Sequence, residues 1–296
     1  MRILVGKTFG IGNAVLSIPM IKALSSLGQV SALVGSGPDD FGAAAVLSRV
    51  SCIRDLWIDN VPEGVPEFDV AVMSIPFDGR WQNGIHYKAK RVIDGRKRPG
   101  NVERLGFDMW EKHEVEYQMD NARELGYNGH TPDSDFLETP LREFDNDLVY
   151  VGIGFKRDEG GFGLSKHWGT DNFIFVMKRI LELRPQTKFV STGNIRDIME
   201  VGGEIKRAIG TRYELKEGLS AAFSTIPRCA AYLGNDTGMM HVAASCGVPC
   251  YAFMLSEDLI RKNHPFGAAW KAQIIGKLDC GSALAESFID FVWGEK

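Results

Sequence analysis

The residues best suited to chemistry lie in Leu233-Gly234-Asn235-Asp236-Thr237-Gly238-Met239-Met240-His241-Val242-Ala243-Ala244, where an apolar run ends in a polar, glycine-containing turn and a helical pattern starts at once. The first N–H groups of a helix have no partner within it, and the helix dipole adds partial positive charge there, so such a turn suits a phosphate. Gly238 would let an anion approach the main chain closely. His241, one turn further on, would share a face with Thr237 and Gly238. The same residues also fit a structural role, with Asp236 or Thr237 as an N-cap and His241 as a buried histidine. A second stretch, Leu164-Ser165-Lys166-His167-Trp168, follows Gly160, Gly161 and Gly163 and precedes a helical pattern. Lys166 there would contact phosphate oxygens; the plainer reading is a surface lysine beside a packing tryptophan. A third region runs from Lys88 to Arg104, where Lys88, Lys90, Arg91, Arg96, Lys97, Arg98 and Arg104 face only Asp94 and Glu103. Such an excess of positive charge would steer an anionic substrate, or is simply a solvated loop. Trp81 and Trp110 flank it and would either stack on a sugar face or pack.

Other chemistries lack their signatures. No G-x-x-x-x-G-K-[ST] motif occurs. Gly10-x-Gly12 follows the first apolar run, but Val15 stands where a dinucleotide fingerprint needs its third glycine. His113-Glu114 has no second histidine at zincin spacing, and no acidic cluster carries metal-ligand spacing, so no metal is expected. The five cysteines, Cys52, Cys229, Cys246, Cys250 and Cys280, are odd in number and form no CxxC pair, which argues for reduced thiols and a cytoplasmic protein. Cys246 and Cys250, separated by Pro249, read as small core residues.

The elements that must position these residues alternate. Ile3–Val5, Val30–Val34, Cys52–Ile58 and Phe68–Met73 read as strands, with helices after Gly12 and up to Leu47. Pro19 falls inside the first helix. Ser74 to about Gly106 reads as irregular, and His113 to Leu125 as a helix. Gly126 to Phe144 carries Pro132 and Pro140 and reads as a linker. A second series follows: strands at Leu148–Gly152, Lys188–Ser191, Ala230–Gly234 and Val248–Phe253, and helices at Asp171–Leu183, Ile195–Ile209, Leu219–Arg228, Met239–Cys246 and Ser282–Val292. Alternation of this kind predicts an α/β protein of two doubly wound, Rossmann-like domains, residues 1–145 and 146–296, with a cleft between them as the default ligand site. The last helix is a candidate to pack back on the first domain.

The chain has 296 residues, 44% hydrophobic and 24% charged, with 34 Lys plus Arg against 38 Asp plus Glu. Two domains of ordinary globular composition fit that length. A net charge of −4 argues against a general nucleic-acid binder. No h-region of a signal peptide follows Met1-Arg2, and no apolar stretch approaches membrane-spanning length.

In these residues the chain resembles the family 9 glycosyltransferases, the lipopolysaccharide heptosyltransferases that use ADP-heptose. Asn235 to Ala244, with Gly247-Val248-Pro249, is similar to that family's signature, and Lys166-His167-Trp168 to its Lys-x-Trp element. Arg2-Ile3-Leu4-Val5 with Gly10-Ile11-Gly12 is similar to its N-terminus, and His113-Glu114-Val115 with Leu125-Gly126 to its interdomain helix. The resemblance implies a GT-B fold, with the acceptor on the N-terminal domain and the nucleotide-sugar on the C-terminal one. Carried over, Thr237 and Gly238 would offer backbone amides to the diphosphate, with Met239 beside them. Asp236 and His241 would support that turn or touch the donor. Lys166 would neutralise a phosphate, and Gly193 and Asn194, in the loop after the Lys188–Ser191 strand, would lie near the nucleoside. The acceptor side would comprise Gly10, Gly12, Lys88, Arg91 and Arg96. One departure matters. The family's glycine loop ends in Gly-Asp, its proposed base, whereas this chain has Gly12-Asn13, and an amide does not take up a hydroxyl proton near neutral pH. Asn13 would still orient an acceptor hydroxyl, with Asp40, Asp94 and Asp108 as other candidate bases.

The implied activity is inverting, metal-independent transfer of a heptose or related sugar to an anionic glycan or glycolipid. It would need no cofactor beyond the nucleotide-sugar substrate, and would take place in the cytoplasm, with peripheral contact at the inner face of the membrane. Two alternatives stand beside it: a non-catalytic sugar-nucleotide or glycan binder of the same fold, which Asn13 favours, and another GT-B enzyme such as a nucleotide-sugar epimerase.

Overall fold

Ile3, Leu4 and Val5 are fully buried and form the middle of strand β1 (Arg2–Lys7), as a strand covered on both faces requires. A computed structural model describes residues 1–7, 10–35, 40–73, 88–94, 111–137, 144–154, 168–194, 201–275 and 282–294. It divides into two units, Met1–Glu138 with Arg261–Phe266, and Thr139–Ile260 with Gly267–Lys296. The boundary expected at 145/146 falls at the start of the first strand of the second unit.

In the first unit β1, β2 (Gln29–Val34), β3 (Ile53–Ile58), β4 (Phe68–Met73) and β5 (Ala89–Asp94) form a parallel sheet in the order β3-β2-β1-β4-β5. Helix α1 (Ile11–Ser25) packs against α2 (Asp40–Leu47) and α3 (Glu114–Glu124). From Ala14 to Leu24 only Lys22 escapes burial, which is why the helix reads as apolar all round. His113 caps α3: its Nδ1 accepts from the Val115 N–H at 3.2 Å, and its Nε2 lies 2.9 Å from the His264 carbonyl oxygen. These two contacts suit the neutral ring protonated at Nε2.

In the second unit β6 (Asp145–Gly152), β7 (Lys188–Gly193), β8 (Tyr213–Glu217), β9 (Cys229–Asn235), β10 (Cys250–Met254) and β11 (Trp270–Ile274) form a parallel sheet in the order β11-β10-β9-β6-β7-β8. Its helices are α4 (Thr170–Leu183), α5 (Gly203–Ile209), α6 (Gly218–Thr225), α7 (Gly238–Ser245), α8 (Glu257–Asn263, whose last residues join the first unit) and α9 (Ser282–Trp293). Counted from β6, the strand order is 6-5-4-1-2-3, a doubly wound sheet whose winding reverses between β6 and β9. In the first unit the reversal lies between β1 and β4.

Several expectations need correction. Strand β5 lies within the stretch read as irregular, and β8, β11 and α8 were not expected. Strand β7 runs two residues further than read, so Gly193 ends the strand and Asn194 is the first residue after it. Of the Ile195–Ile209 helix the described part is α5; residues 195–200 lie outside the described residues. Helix α9 packs on α4 within the second unit, where Leu284, Ala285 and Phe288 join its core. Among the described residues no helix is long and apolar enough to cross a membrane.

Candidate functional site

The reversal point of the second sheet places two turns side by side: Gly152 to Gly154 after β6, and Asn235 to Gly238 between β9 and α7. Ligands of doubly wound sheets bind at the carboxyl ends of strands at such a reversal. Backbone packing there is close. Gly152 and Gly234 are register partners, and a Cβ on Gly234 would sit 2.4 Å from the Gly152 carbonyl oxygen. Gly154 takes a φ of +69°, a left-handed conformation that favours glycine, and faces Thr237 and Asn235.

Asn235 ties the turns together. Its side-chain NH2 donates to the Ile153 carbonyl, and its Oδ1 accepts from the Trp168 N–H at 3.3 Å. Trp168 is buried, stacked on Phe253 at 4.1 Å and set edge-on to Phe173 at 5.2 Å. The packing reading of this tryptophan therefore holds, and its main-chain N–H is tied to the Asn235–Gly238 turn. Lys166 and His167 lie outside the described residues, as do Gly160, Gly161 and Gly163.

Thr237 is the N-cap residue of α7, yet its side chain makes no capping hydrogen bond. Its hydroxyl instead lies 3.1 Å from that of Tyr232. The threonine-cap reading therefore fails, and no cap from Thr237 competes for the N–H groups at the start of α7. Thr237, Gly238 and Met239 are half-exposed, whereas Asp236 and His241 are buried beneath them. His241 Nε2 stands 3.9 Å from Asp236 Oδ1, too long for a hydrogen bond and close enough for an ion pair when the imidazole is protonated. At its far end α7 closes in a Schellman motif: Val248 N–H reaches the Ala243 carbonyl at 3.0 Å and Gly247 N–H the Ala244 carbonyl at 2.9 Å, with Gly247 at φ +74°. This explains the Gly-Val-Pro turn physically: glycine takes the left-handed position, and proline follows where the helix has stopped.

Gly193 ends β7 beside Glu217 of β8, so it and Asn194 share the carboxyl edge of the sheet with the Asn235–Gly238 turn. Cys229 and Cys250 are buried, Cys246 and Cys52 half-buried, and all four are free thiols. Burial pushes the Cys229 thiol up to about 12 and raises those of Cys250 and Cys52, so these three are not poised as thiolates.

In the first unit Gly10 is the N-cap residue of α1 with φ +84°, and Gly12 and Asn13 fill the first turn, which has no acidic residue. This turn lies at the reversal point of the first sheet. The basic region divides. Lys90 pairs with Asp69 at 2.8 Å and Arg91 with Glu124 at 2.5 Å, so two of its cations already have carboxylates. Lys88 is exposed. Arg96, Lys97, Arg98, Glu103, Arg104, Trp81, Trp110 and Asp108 lie outside the described residues, as do the side chains of Asp40 and Asp94.

Sequence reading missed Tyr232, Gly152 and Gly154, which pack against the Asn235–Gly238 turn. The small-residue runs at the strand ends were the available signal. Replacing Gly152 by alanine is expected to cost about 3 kcal/mol, because a Cβ there would lie 1.9 Å from the Tyr232 hydroxyl, with backbone packed on the other side. Thermal unfolding of the full chain would read this as a lowered Tm; an unchanged Tm would show that the tyrosine moves aside freely.

Neither a protein-family model nor a curated relative matches the sequence. Solved structures do. Escherichia coli heptosyltransferase WaaC with ADP is similar at a TM-score of 0.71 and 13% identity, covering 98% of this chain and 99% of that one. A glycosyl transferase family 9 protein from Veillonella parvula is similar at 0.64 and 16% identity, covering 92% and 86%. UDP-GlcNAc 2-epimerase from Neisseria meningitidis bound to UDP-GlcNAc is similar at 0.51 and 11% identity, covering 99% and 91%. Over nearly its whole length, then, the chain has the two-sheet α/β architecture of these proteins, the GT-B fold.

Proposed function

We propose that the protein is an inverting glycosyltransferase that moves a heptose or related sugar from a nucleotide-diphospho-sugar to an anionic glycan or glycolipid. The observation that carries this reading is the start of α7 at the reversal of the second sheet: the half-exposed residues Thr237 to Met239, at a helix start that the Thr237 side chain does not cap, with glycines close by. The fold likeness to an ADP-bound heptosyltransferase supports it. In this mechanism the acceptor hydroxyl oxygen forms a bond to the anomeric carbon as the bond from that carbon to the diphosphate oxygen breaks on the opposite face. The electron pair leaves with the diphosphate, and the hydroxyl proton passes to a base. Lys166 and the main-chain N–H groups at Thr237 and Gly238 stabilise the departing charge. Asp236 and His241 support the turn from beneath, Gly193 and Asn194 lie toward the nucleoside, and Asn13 with Gly10 and Gly12 orients the acceptor. Lys88 and Arg96 draw in an acceptor that carries phosphates, at the cytoplasmic face of a membrane. Arg91, already paired with Glu124, contributes less.

The test is a panel of ADP-, UDP-, GDP- and dTDP-sugars, read by thermal shift and by crystals soaked with the best binder. Diphosphate density at Thr237–Gly238 is expected. Density elsewhere with this turn empty overturns the assignment. A second reading, a sugar-nucleotide binder without turnover, is favoured by the amide of Asn13; donor hydrolysis or transfer by the natural protein rules it out.

A further inference from the structure

Tyr232 sits in β9, fully buried, and is the cross-strand partner of Tyr150, on whose ring it stacks at 6.0 Å. Its phenol runs up the sheet through a slot left by Gly152, where a Cβ would lie 2.4 Å from the phenol carbon that bears the oxygen. At the top its hydroxyl donates to the Asn235 carbonyl at 2.6 Å and meets Thr237 Oγ1 at 3.1 Å. A phenol has one proton. Because that proton goes to Asn235, Thr237 must be the donor in the second contact, and the only hydroxyl proton of Thr237 is then used. Burial holds the Tyr232 hydroxyl well above its ordinary pKa, so the proton stays in place. An ionised diphosphate presents oxygens that only accept, and a threonine whose proton is committed has none to give.

Building on the donor-site reading above, we propose that Tyr232 is a positioning residue for the nucleoside diphosphate: it holds the Thr237 hydroxyl downward, so that main-chain N–H groups at the start of α7 meet the anion and the Thr237 side chain does not. Thr237 thus contributes to binding through its backbone and its fixed rotamer. The arrangement explains why the side chain of this N-cap threonine does not cap its helix.

The experiment is calorimetric titration of the full chain with ADP, after a check against UDP, GDP and dTDP, and the same titration on variants. Tyr232→Phe is expected to weaken ADP about five- to tenfold, the scale of one neutral hydrogen bond. Thr237→Val should weaken it by a similar factor, and the double variant by no more than either single change, since both break one contact. Thr237→Ser, which keeps the hydroxyl, should recover most of the affinity that Thr237→Val loses. Tyr251→Phe is the folding control. Tyr251 is equally buried on the neighbouring strand, but its hydroxyl donates to Ser287 of α9 at 3.2 Å, so its loss should leave ADP affinity within twofold. In turnover, Tyr232→Phe should raise the donor KM and leave kcat in place, a split that general destabilisation would not give. Additive losses in the double variant overturn the inference. So does a loss beyond about 10²-fold in Thr237→Val with Tyr232→Phe neutral, which would show the threonine hydroxyl donating to the anion directly. A natural protein that binds none of the four diphosphates overturns the functional reading itself, whereas natural binding with Tyr232→Phe unchanged overturns the positioning role alone.

Discussion

Asn13→Asp is expected to raise sugar transfer by about 10²-fold. A positioned general base contributes about 10²–10⁴-fold, and the amide now at this position accepts no proton. The site is ready for a carboxylate. Asn13 occupies the first turn of α1, that turn carries no acidic residue, and a negative charge at a helix start is favoured by the helix dipole. The same dipole keeps the introduced carboxylate ionised and makes it a somewhat weaker base, which is why the lower end of the range is expected. Asn and Asp are nearly isosteric, so the comparison reads chemistry and not packing. The measurement is initial rate with saturating donor, together with a pH–rate profile. A rate that stays flat or falls, with an acidic limb of carboxylate character in the natural protein, would assign the base to another carboxylate. A natural protein that neither transfers nor hydrolyses, with a variant that does, would make the natural chain a binder.

Lys166→Ala is expected to lower turnover by about 10²–10³-fold, the scale for removing one preorganised group that stabilises charge in the transition state. The argument starts two residues later. The Trp168 N–H is held by the Asn235 side chain at 3.3 Å, and its indole is locked between Phe253 and Phe173. Trp168, two positions after Lys166 in the sequence, is therefore anchored to the Asn235–Gly238 turn. Lys166→Arg should retain part of the activity, because a cation remains but its planar fork replaces a compact ammonium. Unchanged kinetics in Lys166→Ala at saturating donor would reduce this lysine to a surface residue.

How far the fold was legible depended on where each strand sits. The strands readable from sequence include every central one. β1, β2, β4, β6, β7, β9 and β10 are covered on both faces and appear as short apolar runs. The three that were missed, β5, β8 and β11, are all edge strands. An edge strand is half-solvated, and charge along it guards against pairing with another chain. Lys90, Arg91, Glu214 and Lys216 therefore look like loop residues when read in one dimension. Part of the basic region of residues 88–104 is an edge strand, and its cations Lys90 and Arg91 pair with Asp69 and Glu124, residues 21 and 33 positions away.

The Asn235–Gly238 turn itself was determined locally. Gly238, the polar residues before it and the Gly247-Val248-Pro249 stop are short-range signals, because helix starts and ends are set by main-chain hydrogen bonds within a few residues. What only the tertiary structure decided is which partner each polar group takes. Thr237 could have capped its helix, and the sequence alone offered that role. Instead it turns to Tyr232, because β6 and β9 lie side by side and paired glycines leave a slot for the phenol. The choice depends on contacts between residues about 80 apart in the chain, such as Ile153 with Asn235, and no local pattern encodes them. Competing hydrogen bonds of similar strength are settled by packing, and packing belongs to the folded chain.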